Sequence, residues 1–116
     1  MHYSKILIAS AAFIQGSLST GILVYSGRDC TGSATARTVD SGVCTGPLPV
    51  FRSYRENGWG PKGKRISFYG SGTCTGETFL YDTWSNNGDY FQSRQCYNID
   101  GHSPNGEKTA ASVSQN

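Results

Sequence analysis

Short apolar stretches recur along the chain, and each is bounded by Gly, Asn, Asp or Ser. They are rich in β-branched and aromatic residues, which favour strands, and they occupy positions 22–25, 66–69, 78–81 and 96–99. No stretch of ten or more residues keeps a helical period of apolar positions without a glycine or proline. Fifteen glycines and four prolines interrupt the chain too often for long helices. The pattern therefore predicts an all-β fold.

The first 19 residues differ from the rest. A short basic start at 1–5 is followed by an apolar run at 6–14 and then by small residues that include Ser17 and Ser19. This is the layout of a secretory signal peptide over residues 1–19, cleaved after Ser19. The alternative is a membrane anchor, but the apolar run has about half of the roughly 20 residues that a span needs. We therefore expect a secreted, extracellular protein without a transmembrane segment.

The expected mature chain is about 97 residues long, so a single domain with a thin core is expected. It contains all four cysteines, Cys30, Cys44, Cys74 and Cys96, and an even count in an oxidising compartment predicts two disulfides. Zinc is the alternative, but there is no C-x-x-C and His102 is the one histidine after the signal peptide. Three pairings are open. We favour Cys30 with Cys44 and Cys74 with Cys96, which would each close within one half.

Two segments of the chain repeat one another, 44 residues apart. In V-Y-S-G-R-D-C-T-G, Gly32 stands seven residues after Tyr25; in F-Y-G-S-G-T-C-T-G, Gly76 stands seven after Tyr69. Cys-Thr precedes the glycine both times. This spacing predicts a hairpin folded over its own strands. The aromatic ring would pack on the bend, and the glycine would adopt a backbone conformation that a side chain disfavours.

The repeat resembles the Greek-key motif of the βγ-crystallin superfamily. The second half carries the resemblance best, in I-S-F-Y-G-S-G-T-C-T-G-E-T-F-L-Y followed by D-Y-F-Q-S-R-Q-C-Y-N-I-D-G. The resemblance implies two four-stranded Greek-key motifs packed as one small β-sandwich, stabilised by disulfides. The family's serine, about 28 residues after the tyrosine, is matched by Ser53 in the first half. In the second half that position falls at Tyr97, which departs from the pattern.

The resemblance also sets domain boundaries. A single domain would cover residues 20–100, with motif one at about 20–57, a linker at 58–64 and motif two at about 65–100. Residues 101–116, rich in Gly, Ser, Pro and Asn, would form a flexible polar tail.

Calcium is the one cofactor that the resemblance raises, and we expect none to be required. Members that bind calcium use an Asn/Asp-Asn/Asp-x-x-Ser/Thr-Ser loop, whose oxygens surround the ion. Residues 86–91 have the leading pair but aromatics in place of the hydroxyls, and residues 40–45 keep little more than Asp40 and a final hydroxyl. Turn formation is the simpler role for these residues.

Charge is distributed unevenly along the chain. Residues 20–65 carry seven Lys/Arg against three acids, whereas residues 66–116 carry two against five. The two halves thus have net charges of opposite sign, which favours their packing on each other. The whole molecule then has little positive potential to attract nucleic acid. We expect no nucleic-acid partner, and we expect a monomer.

A catalytic role has weak support in the sequence. Paired cysteines leave no thiol nucleophile, and His102 falls in the expected tail. Glu77, Asp82 and Asp89 could supply a glycosidase pair only across a cleft that so small a domain is not expected to form. We therefore expect that the protein is not an enzyme.

Two further features bear on function. Lys64-Arg65 lies between the halves and is either a kexin-type processing site or an uncut basic linker. Trp59 and Trp84 lie beside glycines and asparagines, where they would be either core residues or exposed contact residues.

The small, Gly-, Ser-, Thr- and Tyr-rich chain with paired cysteines is similar to small secreted proteins of filamentous fungi. We expect a fungal effector or virulence-associated protein that binds a host component. The alternatives are a killer-toxin-like antimicrobial that acts on competitor cells, and a structural or calcium-stabilised protein of the wall.

Overall fold

The computed structural model describes residues 18–116, which form two four-stranded antiparallel sheets packed face to face. These residues contain four short 3-10 turns and no α-helix. The predicted signal peptide lies almost wholly outside the described residues. The strands are β1 (Ser19–Tyr25), β2 (Ala34–Asp40), β3 (Cys44–Thr45), β4 (Ser53–Glu56), β5 (Arg65–Tyr69), β6 (Phe79–Trp84), β7 (Cys96–Asn98) and β8 (Ser112–Gln115).

Each half of the chain forms a four-stranded Greek-key motif, and the halves exchange their third strands. Sheet A has the order β2-β1-β4-β7 and sheet B the order β3-β8-β5-β6. Thus β7 from the second half completes sheet A, and β3 from the first half completes sheet B. The predicted fold class, an all-β sandwich of two Greek-key motifs with disulfides, is confirmed.

Aromatic rings fill the space between the sheets. Tyr54 and Phe68 are fully buried and stack with their ring centroids 4.5 Å apart. The Tyr54 hydroxyl donates to the Tyr90 carbonyl at 2.9 Å and accepts from the Tyr81 hydroxyl at 2.8 Å. Burial raises the pKa of Tyr54 and of Tyr81, so both hydroxyls stay protonated and can donate. The core is therefore a stacked aromatic cluster with its polar groups satisfied.

The prediction of a flexible tail at residues 101–116 is wrong. β8 lies inside sheet B, paired with β3 on one side and β5 on the other. Val113 is fully buried and Gln115 is 1% exposed. The Gln115 amide accepts a hydrogen bond from the Thr20 hydroxyl and donates one to the Ser41 hydroxyl. The polar composition misled the sequence prediction because the partners of these groups lie in the other half of the chain.

The favoured disulfide pairing is also wrong. The bridges join Cys30 to Cys96 and Cys44 to Cys74, so both connect the two halves. The cause is the strand exchange: Cys96 begins β7 and Cys44 begins β3, and each of these strands lies in the sheet of the opposite motif. Each bridge therefore fixes an exchanged strand to the hairpin bend of the other half.

One buried serine in each motif ties the hairpin bend to the fourth strand. In the first half, Ser53 accepts from the Cys30 amide at 2.9 Å and donates to the Gly27 carbonyl. In the second half, Ser112 accepts from the Cys74 amide at 3.0 Å and donates to the Ser71 carbonyl at 2.6 Å. The second serine of the motif is therefore Ser112, so its expected place at Tyr97 was wrong.

The glycine prediction for the hairpins holds in the first half alone. Gly32 has φ of +84°, the left-handed conformation that favours glycine, whereas Gly76 is not among the residues with positive φ. What the two hairpins share is a left-handed cysteine, with φ of 57° at Cys30 and 52° at Cys74. The repeated bend therefore depends on the cysteine and the serine more than on the glycine.

We predict that non-reducing peptide mapping will recover the bridges Cys30–Cys96 and Cys44–Cys74. Arg37, Arg52 and Arg94 separate the four cysteines, so trypsin leaves each on its own peptide. Replacing either pair with alanines should lower the free energy of unfolding by about 4 kcal/mol, because sequence separations of 66 and 30 residues are closed. Recovery of a Cys30–Cys44 peptide would contradict the strand exchange.

We predict that Ser53→Ala and Ser112→Ala will each lower the free energy of unfolding by about 1–3 kcal/mol in urea titrations. Each removes the partner of a backbone amide and of a carbonyl in a protected bend. Ser114→Ala is the matched control on β8, since its hydroxyl makes one long hydrogen bond of 3.3 Å to the partly buried Tyr69. An equal loss from Ser114→Ala would refute the special role of the bend serines.

Candidate functional site

The outer face of sheet B presents a row of large side chains along β5 and β6. Ile66 and Phe68 of β5 point into the core and are fully buried, so the alternate residues point outward. The antiparallel register sets these opposite the outward residues of β6. We define the sheet B face by Arg65, Ser67, Tyr69, Phe79, Asp82 and Trp84.

At one end of this face, Arg65 organises its neighbours. Its guanidinium lies 5.2 Å from the centroid of the Trp84 ring, and its Nη1 lies 3.4 Å from Oδ2 of Asp82. The other carboxylate oxygen of Asp82 accepts from the Ser67 hydroxyl at 3.0 Å. Exposed ion pairs of this kind add little to stability. The ion pair with Asp82 instead positions the Arg65 guanidinium over the Trp84 ring, which is 46% exposed.

At the other end, Phe79 borders an open groove of about 370 Å³. Phe79 is 43% exposed, and its ring meets Tyr69 edge-on at 5.9 Å between centroids. Glu77 and Glu107 line the same groove. This end of the face is therefore aromatic with an acidic border.

The two halves of the fold provide an internal comparison for these residues. The pair Arg65 and Trp84 occupies the place that Gly21 and Thr38 occupy in sheet A. Further along, the cross-strand pairs Ser67/Asp82 and Tyr69/Phe79 stand where sheet A has Leu23/Ala36 and Tyr25/Ala34. Sheet A thus forms the same hairpin with small residues on β2. The hairpin therefore forms without large side chains at these two positions. Trp84 and Phe79 are not needed for the fold and can serve to contact a ligand.

The two tryptophans predicted as contact residues have different roles. The Trp59 indole nitrogen donates to the Phe91 carbonyl at 2.9 Å, which ties the connection between the halves to the core. The Trp84 indole nitrogen has no hydrogen-bond partner among residues 18–116. Trp84 is therefore the better contact candidate, and Trp59 is an anchor.

The Lys64-Arg65 pair leads directly into the sheet. Arg65 is the first residue of β5, which lies between β8 and β6, and the next residue, Ile66, is fully buried. The Arg65 carbonyl accepts from the Asn116 amide at 3.1 Å, and the Lys64 carbonyl accepts from the Ser85 amide at 2.9 Å. Cleavage after Arg65 would require β5 to leave the sheet first. Even then, both disulfides would join the products.

The two loops considered for calcium act as connections. In residues 86–91, the Asn86 amide donates to the Gly60 carbonyl at 2.9 Å, and Asp89 accepts from the Thr83 hydroxyl at 3.0 Å. In residues 40–45, the Ser41 hydroxyl accepts a hydrogen bond from the Gln115 side-chain amide at 2.7 Å. The part of the chain that the structure describes has no group of three or more His, Cys, Asp or Glu side chains that could hold a metal ion. Calcium binding stays a prediction for these loops.

The three acids considered for catalysis are divided between two sites. Asp82 and Asp89 line a cavity beside Trp84, whereas Glu77 lies in the groove at Phe79. His102, expected in a mobile tail, instead stacks on Tyr90 with 4.0 Å between ring centroids. Its ring also meets Tyr81 edge-on at 5.6 Å. The histidine is thus part of the packing around the aromatic cluster.

Comparisons with known proteins give no relative. No family model, curated protein or solved structure gave a significant match to this chain. Within residues 18–116, no helix is long and apolar enough to cross a membrane. The functional argument therefore depends on the residues of this chain alone.

We predict that stability falls as the pH drops from about 7.5 to about 5. Burial lowers the pKa of His102, and this outweighs the opposing effect of Asp89 and Asp100. The unfolded chain, with a histidine pKa of about 6.5, then binds the proton more readily than the folded chain. The contribution of neutral His102 to the free energy of unfolding is therefore complete above about pH 6.5 and is lost as the pH falls below that value.

Urea titrations across this range measure the effect. His102→Phe keeps a ring on Tyr90 and should flatten the pH dependence. The pKa of Asp100 is lowered mainly by its hydrogen bond to Arg28, so its contribution is lost only below about pH 4. The same slope in His102→Phe as in the parent protein would exclude the histidine as its cause.

Proposed function

We propose that the protein is a small secreted binding protein, a fungal effector or virulence-associated protein that acts on a host component through the sheet B face. The observation that carries the proposal is the difference between the halves. Trp84 and Phe79 are exposed in sheet B where Thr38 and Ala34 stand in sheet A. Exposed aromatic residues beside an arginine are typical of contact surfaces.

Secretion is supported by the signal-peptide-like start and by both disulfides, which persist in oxidising compartments. We also propose distant membership of the βγ-crystallin superfamily. The sandwich of two Greek-key motifs supports it, as do the equivalent hydrogen bonds of Ser53 and Ser112. Fold alone does not assign a function, so the proposal depends on the surface residues.

Deletion of the gene in the native producer should reduce infection and leave growth in culture unchanged. Restoring the gene with Trp84→Thr and Phe79→Ala should fail to rescue infection, because these changes install the residues of sheet A. Val50→Ala, which changes an exposed residue outside the face, should rescue fully. We expect the free energy of unfolding of the double variant to fall by less than about 1 kcal/mol.

The killer-toxin-like alternative predicts a different result for the gene deletion and for the purified protein. Purified protein would then inhibit competitor microbes, and deletion would leave infection unchanged.

Full rescue of infection by the Trp84→Thr, Phe79→Ala protein would show that the sheet B face is not the contact surface.

A further inference from the structure

A second cavity lies beside Trp84, about 250 Å³ in volume and distinct from the groove at Phe79. Its lining residues come from the start of β5, the end of β6 and the turn that follows: Arg65, Asp82, Thr83, Trp84 and Asp89. One aromatic ring, two carboxylates and one guanidinium therefore border the same small space. Sites for small polar ligands commonly combine an aromatic surface with a few fixed polar groups.

The carboxylates of this cavity are held in place from behind. Asp89 Oδ1 accepts from the Thr83 hydroxyl at 3.0 Å and from the Tyr90 amide at 3.1 Å. Asp82 is held by the Ser67 hydroxyl and by Arg65. Asp89 Oδ2 has no hydrogen-bond partner within the described residues, so it is free to accept one from a ligand. Groups fixed in this way lose little freedom on binding.

Gly88 keeps the Asp89 side of the cavity close to Trp84. A Cβ atom at this position would lie 2.4 Å from the Thr83 hydroxyl oxygen and 2.6 Å from the Trp84 amide nitrogen. Only glycine therefore lets the turn at residues 86–89 rest directly on β6. Gly88 also forms an isolated bridge with Phe91, which is fully buried. The backbone before Asp89 is thus held close to the backbone of Trp84.

The charges of the cavity limit the ligand that it can take. A cationic ligand would be repelled by the guanidinium of Arg65, which lines the cavity and already pairs with Asp82. An anionic ligand would meet the carboxylates of Asp82 and Asp89. A wholly apolar ligand would leave these polar groups desolvated without partners. A neutral ligand with several hydroxyls avoids all three costs, because hydroxyls both donate to carboxylates and accept from a guanidinium.

We infer that this cavity is a subsite for a neutral sugar unit of a polysaccharide. The inference rests on the proposed function and names the class of component that the sheet B face would bind. One face of the sugar ring would lie against the part of the Trp84 ring that Arg65 does not cover. Its hydroxyls would donate to Asp89 Oδ2 and Asp82, and they would accept from Arg65. The indole nitrogen of Trp84, which has no hydrogen-bond partner within residues 18–116, would supply one further donor.

Titration with soluble hexasaccharides tests the inference. The probes are cellohexaose, laminarihexaose, chitohexaose and mannohexaose, each added to about 10 mM, which would populate a site of millimolar Kd. The two tryptophans give two indole signals in a nitrogen–proton NMR spectrum. We expect the signal of Trp84 to shift with at least one probe, and the signal of Trp59, engaged with Phe91, to stay in place.

Variants make the test specific. Asp89→Asn keeps an oxygen for Thr83 but loses the charged acceptor, and it should weaken binding at least about tenfold. Asp40→Asn is the matched control, since Asp40 is exposed at the end of β2 in sheet A. It should change the Kd less than about twofold. Equal weakening by the two variants, or no shift with any probe, would overturn the sugar subsite.

The inference can fail while the proposed function stands. If the host component that requires Trp84 is destroyed by a protease and survives glycosidase treatment, the sheet B face binds a protein. That result would refute the sugar subsite and leave the binding proposal intact. If no activity depends on Trp84 or Phe79 while the Trp84 signal still shifts with a hexasaccharide, the cavity binds sugar and the proposed function of the sheet B face is refuted.

Discussion

Each sheet requires a strand from the opposite half of the chain, and this exchange governs the remaining contacts. β7 must reach sheet A and β3 must reach sheet B before either layer is complete. The disulfides then fasten each exchanged strand to a hairpin of the other half, since Cys96 meets Cys30 and Cys44 meets Cys74. A single motif would leave one apolar face uncovered. The exchange therefore explains why this short chain repeats its pattern.

Local composition predicted the strands that carry their own apolar residues and missed those that depend on distant partners. β1, β5, β6 and β7 contain the β-branched and aromatic runs from which they were predicted. β2 is a largely exposed edge strand in which Val39 alone is buried. β8 is polar, yet it is buried because groups such as Gln115 find partners near the start of the chain. No local pattern contains that information.

The disulfide error comes from the strand exchange, and the serine error comes from the lengths of the connections between strands. Pairing within each half follows from the sequence repeat, since each bridge would close inside one copy, but a disulfide requires nearness in space alone. Seven residues separate β3 from β4, whereas thirteen separate β7 from β8. The β7–β8 connection includes two 3-10 turns and is six residues longer. The β6–β7 connection, with eleven residues against three between β2 and β3, adds eight more. Together they account for 14 of the 15 positions between 97 and 112. A search for a serine at the start of the last strand, without fixed spacing, would have found it.

The candidate site was visible in the sequence as separate residues but not as a group. The sequence predicts Arg65 as part of a processing site and Trp84 as a contact residue, and only the register of β5 with β6 sets them opposite each other. Alignment of the two halves would have given a sharper signal, since Gly21 corresponds to Arg65. Because both halves share the bend serine and the disulfide, the outer residues of one hairpin can differ without loss of the fold. A duplicated architecture thus separates stability, which depends on the shared inner contacts, from recognition, which depends on the unshared outer ones.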